Sequence, residues 1–424
     1  MPFSSLGLSP ALLRALERQH IHTPTAVQAQ AIPPILAGHD ALVRAQTGSG
    51  KTLAYGLPLL QGLAAKTPGT PRQLRALLLV PTRELAIQAG QILRDLANQL
   101  PQAIRVSVVF GGVSIQPQLL AMRGGTDVVV ATPGRLLDLL ERNALRLSST
   151  ELLVLDEADR LLDLGFEAEL GRLLQLLPAQ RQTLFFSATF APAVAALARS
   201  MLRTPVHIEI SDTQQAPPDI QQRALLVDAP RRTQLLRHLI NTQHWKRLLV
   251  FVATKHAAEI VADKLRRVHI HAEPFHGELS QGKRSQVLAD FKASRLKVVV
   301  ATDMAARGLD ISQLPVVLNY DLPRSATEYT HRIGRTGRAG EAGLAISFVS
   351  HDTAAHFHLI EKRQGQQVGL ETVEGFEPAP AASIASKPVN HDPQGTGGIK
   401  GRRPSKKDKL RALQAQEHKA VGTD

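Results

Sequence analysis

Ala45-Gln46-Thr47-Gly48-Ser49-Gly50-Lys51-Thr52 is the stretch from which the rest of the chain is read. A short apolar stretch, Ala41-Leu42-Val43, precedes it, and an apolar, helix-like run from Leu53 to Leu60 follows. It therefore sits on a strand–loop–helix junction, the setting in which a P-loop binds phosphate. Thr47, Gly48, Ser49 and Gly50 form the cradle, because glycines let consecutive N–H groups turn inward on anionic oxygens. Lys51 is placed to reach the β- and γ-phosphates as a point charge, and Thr52 to offer its hydroxyl to Mg²⁺. Ala45 stands where the first glycine of the pattern usually does. The bland alternative is a Gly/Ser loop with a chance Gly-Lys-Thr; the flanking strand and helix argue against it.

With 424 residues the chain is expected to hold two or three domains. Aromatic residues make up only 4%, so the cores should be aliphatic. The absence of cysteine excludes disulfides, thiol nucleophiles and thiolate-bound metals, and it suits a cytoplasmic location. No apolar run approaches the roughly 18 residues that a membrane span needs, so no membrane partner is expected. Met1-Pro2-Phe3-Ser4-Ser5 lacks the basic and apolar regions of a signal peptide. The net charge of +13 points to a polyanionic partner, for which nucleic acid is the usual candidate.

Along the chain, Ser9-Pro10 reads as a helix start, with Leu12, Leu13 and Leu16 on one face. A second helix is expected over 25–36, ending at Gly38. Apolar runs at 76–80, 106–110, 127–131, 152–155 and 183–186 alternate with helical patterns. After a polar, proline-bearing stretch the alternation restarts, with strands expected at 248–252, 297–301, 316–320 and 344–349. Near-continuous apolar strands alternating with amphipathic helices read as parallel sheets covered on both faces, an α/β fold. The expected division is a first domain over 1–210, a linker over 211–220, a second domain over 221–370 and a basic disordered tail over 371–424. Within that tail, residues 400–411 carry seven Lys/Arg against one Asp.

Asp156-Glu157-Ala158-Asp159 follows the run at 152–155. Carboxylates at the carboxyl end of a parallel strand, downstream of a P-loop, suit a Mg²⁺ and water site. Asp156 would hold the metal and Glu157 would polarise the attacking water as general base.

With these residues in place the chain resembles the DEAD-box RNA helicases, whose signature is Asp-Glu-Ala-Asp. The other motifs of that family stand in order. They are Pro24-Thr25-Ala26-Val27-Gln28 with Phe3 upstream, the P-loop, Pro81-Thr82-Arg83-Glu84-Leu85-Ala86, Gly111-Gly112, Thr132-Pro133-Gly134-Arg135 and Ser187-Ala188-Thr189. Farther on come Val250-Phe251-Val252-Ala253-Thr254, His276-Gly277 with Gln281 and Arg284, and Ala301-Thr302-Asp303 running on to Arg307-Gly308-Leu309-Asp310. The last is His331-Arg332-Ile333-Gly334-Arg335-Thr336-Gly337-Arg338. The likeness covers about residues 1–370, and the opening and the basic tail look most like the bacterial RhlE type. It departs from the family at His20 and Ile21, where glycine and an aromatic are usual.

The resemblance implies two tandem RecA-like domains that bind ATP and Mg²⁺ and act on RNA. Gln28 would read the adenine edge, Phe3 would stack on its ring and Asp310 would contact the ribose. Arg335 and Arg338 would reach the γ-phosphate across the cleft, beside the catalytic set Lys51, Asp156 and Glu157. Asp159, Ser187, Thr189 and His331 would couple the nucleotide to the second domain. Arg83, Gly111, Gly112, Thr132, Arg135, Thr254, Gly277, Arg284 and Thr302 would face the RNA backbone. Such contacts position a strand without reading its sequence. The implied activity is local, non-processive unwinding of RNA duplexes coupled to ATP hydrolysis. An ATP-gated RNA clamp or assembly scaffold is the alternative. A monomer is expected, with ribosomal or RNA-decay assemblies as candidate partners.

Overall fold

Two- to seven-residue strands, mostly aliphatic, carry the architecture of this computed structural model, which describes residues 1–379 apart from 47, 68, 211–219, 307–313 and 338–341. The first lobe contains β1 (Ala41–Arg44), β2 (Ala76–Leu79), β3 (Val106–Val109), β4 (Val128–Ala131), β5 (Leu152–Leu155), β6 (Gln182–Ser187) and β7 (Val206–Glu209). They form one parallel sheet in the order β3-β4-β2-β5-β6-β1-β7. Side chains alternate across it. Ala76 and Leu78 enter one core and Leu77 and Leu79 the other, and helices cover both faces. Full burial of a Val or Leu side chain is worth about 1.5–3 kcal/mol, so these aliphatic layers dominate the favourable side of folding.

The second lobe repeats the plan with β8 (Ile220–Leu226), β9 (Leu248–Val252), β10 (Ala272–Phe275), β11 (Val298–Thr302), β12 (Val316–Asn319), β13 (Gly343–Val349) and β14 (Leu370–Glu371). The order is β10-β11-β9-β12-β13-β8-β14, again parallel. Val298 and Val300 face one core and Val299 and Ala301 the other. The two sheets share one plan of strand order, so loops at matching positions of the two lobes are counterparts.

Local signals set the helix starts. Ser9 Oγ accepts from the Leu12 amide and Pro10 opens the helix Pro10–Arg18. Thr25 and Gln28 make a reciprocal capping box at the head of Ala26–Leu36. His20 turns the chain between these helices with φ +57°, a left-handed conformation that costs a side-chain-bearing residue energy.

Several expectations need correction. The strands β7, β8 and β10 were not among the expected runs. β10 reads Ala-Glu-Pro-Phe, and proline is tolerated there because the strand lies at an edge. The second lobe does not end at residue 370. β14 adds to the edge of β8, with Leu370 opposite Ala224, and Glu371 pairs with Arg223. Phe376 then packs on the lobe under the Arg231 guanidinium, 5.2 Å from the ring centroid. Ile220, placed in the linker by its sequence, already opens β8. Linker residues 211–219 and the basic stretch from 380 onward lie outside the described residues. Among those described, no helix is long and apolar enough to cross a membrane.

Candidate nucleotide site and nucleic-acid face

The P-loop follows β1, and Gly48 and Gly50 both take positive φ. Gly50 caps the helix Lys51–Ala64 in the left-handed region, and a Cβ there would lie 2.4 Å from Gln28 Nε2. Only glycine leaves room for that approach. Gln28 is buried, donates to the Gly50 carbonyl at 3.0 Å and accepts from the Thr25 amide at 3.0 Å. Its amide therefore ties the first helix pair to the P-loop, using one N–H and one lone pair of the several it has. Lys51 donates to the Ala45 carbonyl at 3.3 Å and stands 3.7 Å from Asp156 Oδ1. Ser49 closes the loop on the Gln46 carbonyl.

Phe3 departs from its expected role. Its side chain is 4% exposed and belongs to the aliphatic core of the first lobe, so it offers no open face for stacking. Thr47, Asp310 and Arg338 lie outside the described residues.

β5 delivers the acidic residues at its carboxyl end. Asp156 is buried, and that burial raises its pKa against the lowering effect of Lys51. Oδ1 accepts from the Glu157 amide at 2.9 Å and Oδ2 accepts from the Tyr55 hydroxyl at 3.0 Å. Glu157 sits at φ 52°, ψ 51°, a strained conformation for a non-glycine residue of the kind that clusters at functional sites. Its carboxylate accepts from Arg160 at 2.8 Å inside the protein. Neither Tyr55 nor Arg160 was singled out from the sequence. The i,i+3 spacing of Glu157 and Arg160 was a signal for the second.

No group of three or more metal-ligating side chains gathers among the described residues. A hydroxyl at Thr52 and a carboxylate at Asp156 are hard oxygen donors. They suit Mg²⁺ held by one or two protein oxygens and otherwise by phosphates.

The coupling residues converge behind this site. Thr189 donates to Asp159 Oδ2 from both its amide and its hydroxyl, each at 3.1 Å, and Ser187 Oγ donates to the Thr189 carbonyl at 2.7 Å. From the second lobe, His331 and Arg335 line a small cavity with Arg160 of the first, along with Asp303 and Arg332. Burial, then the charge of Arg160, pushes the His331 pKa down to about 4, so the ring is neutral near pH 7. Arg332 is fixed structurally, with Nε and Nη2 on the two Asp303 oxygens at 2.6 and 2.7 Å and Nη1 on Asn319.

The expected RNA face maps onto matching strand ends. In the first lobe Gly111 and Gly112 follow β3, Thr132 follows β4 and Arg83 lies after β2. Their second-lobe counterparts are Gly277 after β10, Thr302 at the end of β11 and Thr254 after β9. Arg83 lies over Gly112, where a Cβ would come within 2.8 Å of the guanidinium. Gly111 N donates to Thr132 Oγ1. Thr254 caps the helix Lys255–Arg266. Arg135 is buried and donates to the Val113 carbonyl at 2.8 Å. Arg284 departs furthest from expectation. It is 2% exposed, lies over Phe275 and spans the lobes to Glu84 at 2.7 and 2.9 Å. A guanidinium so enclosed is a clasp between lobes rather than an open phosphate ligand.

Comparison with known proteins agrees with this geometry. The DEAD/DEAH box helicase profile matches residues 25–197, and the helicase conserved C-terminal domain profile matches residues 231–340. The DEAD-box ATP-dependent RNA helicase CshA of Geobacillus kaustophilus (strain HTA426) is 39% identical over 360 residues, covering 85% of this chain and 76% of the relative. The chain belongs to the DEAD-box helicases. Like other DEAD-box helicases it is built of two tandem RecA-like domains. S. cerevisiae Dbp5 bound to RNA and ADP BeF3 superposes with a TM-score of 0.76 at 30% identity, over 89% of this chain and 95% of that one. A point variant of Dbp5 bound to Nup159, a Gle1 variant, IP6 and ADP scores 0.59 at 29% identity, over 88% and 96%.

Proposed function

We propose that this RNA-stimulated ATPase works as a clamp whose lobes close on ATP·Mg²⁺ and single-stranded RNA together, unwinding short duplexes locally. The observation that carries the reading is the convergence of His331 and Arg335 on Arg160, one helical turn from Glu157 and beside the P-loop strand system. Closure brings a planar, permanently charged guanidinium to the spreading charge of phosphoryl transfer. Glu157 takes the proton of the attacking water, Lys51 binds the phosphates, and Thr52 and Asp156 hold Mg²⁺, which would neutralise phosphate charge when bound. Gln28 selects adenine; the family motifs assign Asp310 to the ribose and Arg338 to the γ-phosphate with Arg335. The strand-end residues of the two lobes contact sugar and phosphate, so RNA is gripped without regard to sequence. The helix opened by Thr132-Pro133 stands in the path of a continuing duplex and bends the bound strand.

The finer placement as RhlE-like is supported by the opening residues and the basic tail. A cysteine-free composition supports a cytoplasmic working place for a monomer, and ribosomal or RNA-decay assemblies are the candidate partners.

Glu157→Gln tests the cycle. It keeps shape and hydrogen bonding but removes the base, typically worth ~10²–10⁴ in rate. The variant is expected to bind ATP and then hold single-stranded RNA longer than the unaltered protein. Equal dwell times would refute reopening by hydrolysis. Strand displacement from a short duplex, measured beside that retention, separates an unwinding enzyme from a scaffold that only clamps.

A further inference from the structure

We infer that Tyr55 is a positioning residue for the metal corner of this site, its hydroxyl fixing the Asp156 carboxylate. The inference rests on the reading of that corner as an ATP·Mg²⁺ site.

Tyr55 lies one helical turn after Lys51, so both project from the same side of the helix Lys51–Ala64. Its side chain is completely buried. A phenol in a core needs a partner for its hydroxyl, and this one finds it in Asp156 Oδ2 at 3.0 Å. Thr52 lies three residues before Tyr55 on the same helix and so shares its face. The hydroxyl thus orients one of the two protein groups assigned to the metal, beside the other. With Oδ1 fixed by the Glu157 amide, both oxygens of Asp156 have set directions. Without the phenol, Oδ2 loses its donor and the carboxylate is oriented from the Oδ1 side alone. The ring itself packs edge-on against Phe186, 5.3 Å between centroids, next to Ser187 of the coupling set. A phenylalanine would fill that space equally well. What the tyrosine adds is the hydroxyl, and what the hydroxyl touches is the metal corner. Partners of this kind typically cost 10–100-fold in metal affinity or activity when removed.

The test is Tyr55→Phe in the full chain, read with a fluorescent ADP analogue titrated with and without Mg²⁺. Metal-free binding of the analogue should stay within about twofold of the unaltered protein. The Mg²⁺ concentration for half-maximal enhancement should rise about tenfold. ATPase activity should recover at high Mg²⁺, with KM for ATP at saturating Mg²⁺ unchanged. Thermal melting of the variant checks that it folds. A Mg²⁺ midpoint equal to that of the unaltered protein overturns the inference and makes the hydroxyl a core group that merely found an acceptor. Equal loss of binding with and without Mg²⁺ also overturns it. If the unaltered protein itself binds nucleotide with no Mg²⁺ dependence, the assignment of the corner fails first and takes this inference with it.

Discussion

At the scale of single residues, strain is concentrated where the chain must turn or react. Glu157 and His20 both occupy the left-handed region, and they differ in what they gain there. Glu157 places its carboxylate against Arg160 at the mouth of the site. The described contacts give His20 nothing comparable. Its amide bonds the Glu17 carbonyl, which a glycine would do as well, and its ring meets the exposed edge of His22. His20→Gly is therefore expected to stabilise the protein by ~0.5–1 kcal/mol. A shift of the denaturant midpoint to higher concentration, with ATPase unchanged, is the expected outcome, and destabilisation would show that the imidazole has a hidden role. The P-loop was legible because its chemistry is local: eight consecutive residues carry the cradle, the lysine and the hydroxyl. The commitment of Phe3 to the core was not legible, since one aromatic near a helix start reads alike whether it stacks on a base or fills a gap.

At the scale of elements, the informative contact joins helices from different lobes. Arg284, on the helix Gln281–Lys292, and Glu84, on Arg83–Ala97, are 200 residues apart. No periodicity or spacing reports such a pair, and the sequence pattern assigned Arg284 to RNA phosphate instead. Its strand-end neighbours were legible because parallel strands followed by helices always bring their carboxyl ends to one edge. β10 escaped notice because Glu273 and Pro274 break the apolar run. Arg284→Ala should open the clasp. Hydrogen bonds to charged groups contribute about 1.5–3 kcal/mol, so RNA affinity in the presence of a non-hydrolysable ATP analogue should fall ~10-fold or more. RNA affinity without nucleotide should hardly change, because in the proposed clamp the lobes part when nucleotide leaves. An equal loss in both conditions would restore the phosphate-contact assignment.

For the whole molecule, a pH dependence follows from one buried imidazole. His331 is buried among Asp159, Glu157, Arg160 and Arg335, with its pKa lowered from 6.5 to about 4 by burial first and Arg160 second. Below pH 6.5 the unfolded chain binds a proton that the buried ring of the folded form resists. Stability therefore rises with pH through that window, is full above about 6.5 and is lost as pH falls toward 4. RNA binding with the ATP analogue should weaken over that range, and His331→Asn should flatten the decline. A decline of the same steepness in the variant would assign the effect to the carboxylates. The basic residues 400–411 act at this scale too, through salt. Each phosphate they neutralise should add about 0.7 to the slope of log affinity against log salt on single strands.

The short strand β14 has a consequence for anyone who shortens the chain to measure that slope. It occupies a sheet edge whose free N–H and C=O groups would otherwise be a template for another strand. A chain cut at residue 370 would bare the flank of β8 and release Phe376 and its Arg231 partner from their packing. Such a protein is prone to self-association, and its weakened RNA binding would be blamed on missing charge. A cut after Pro378 keeps the edge covered and removes the basic stretch 400–411 with the rest of the tail. Sedimentation of the two truncated chains should find the longer one monomeric and the shorter one aggregating with concentration.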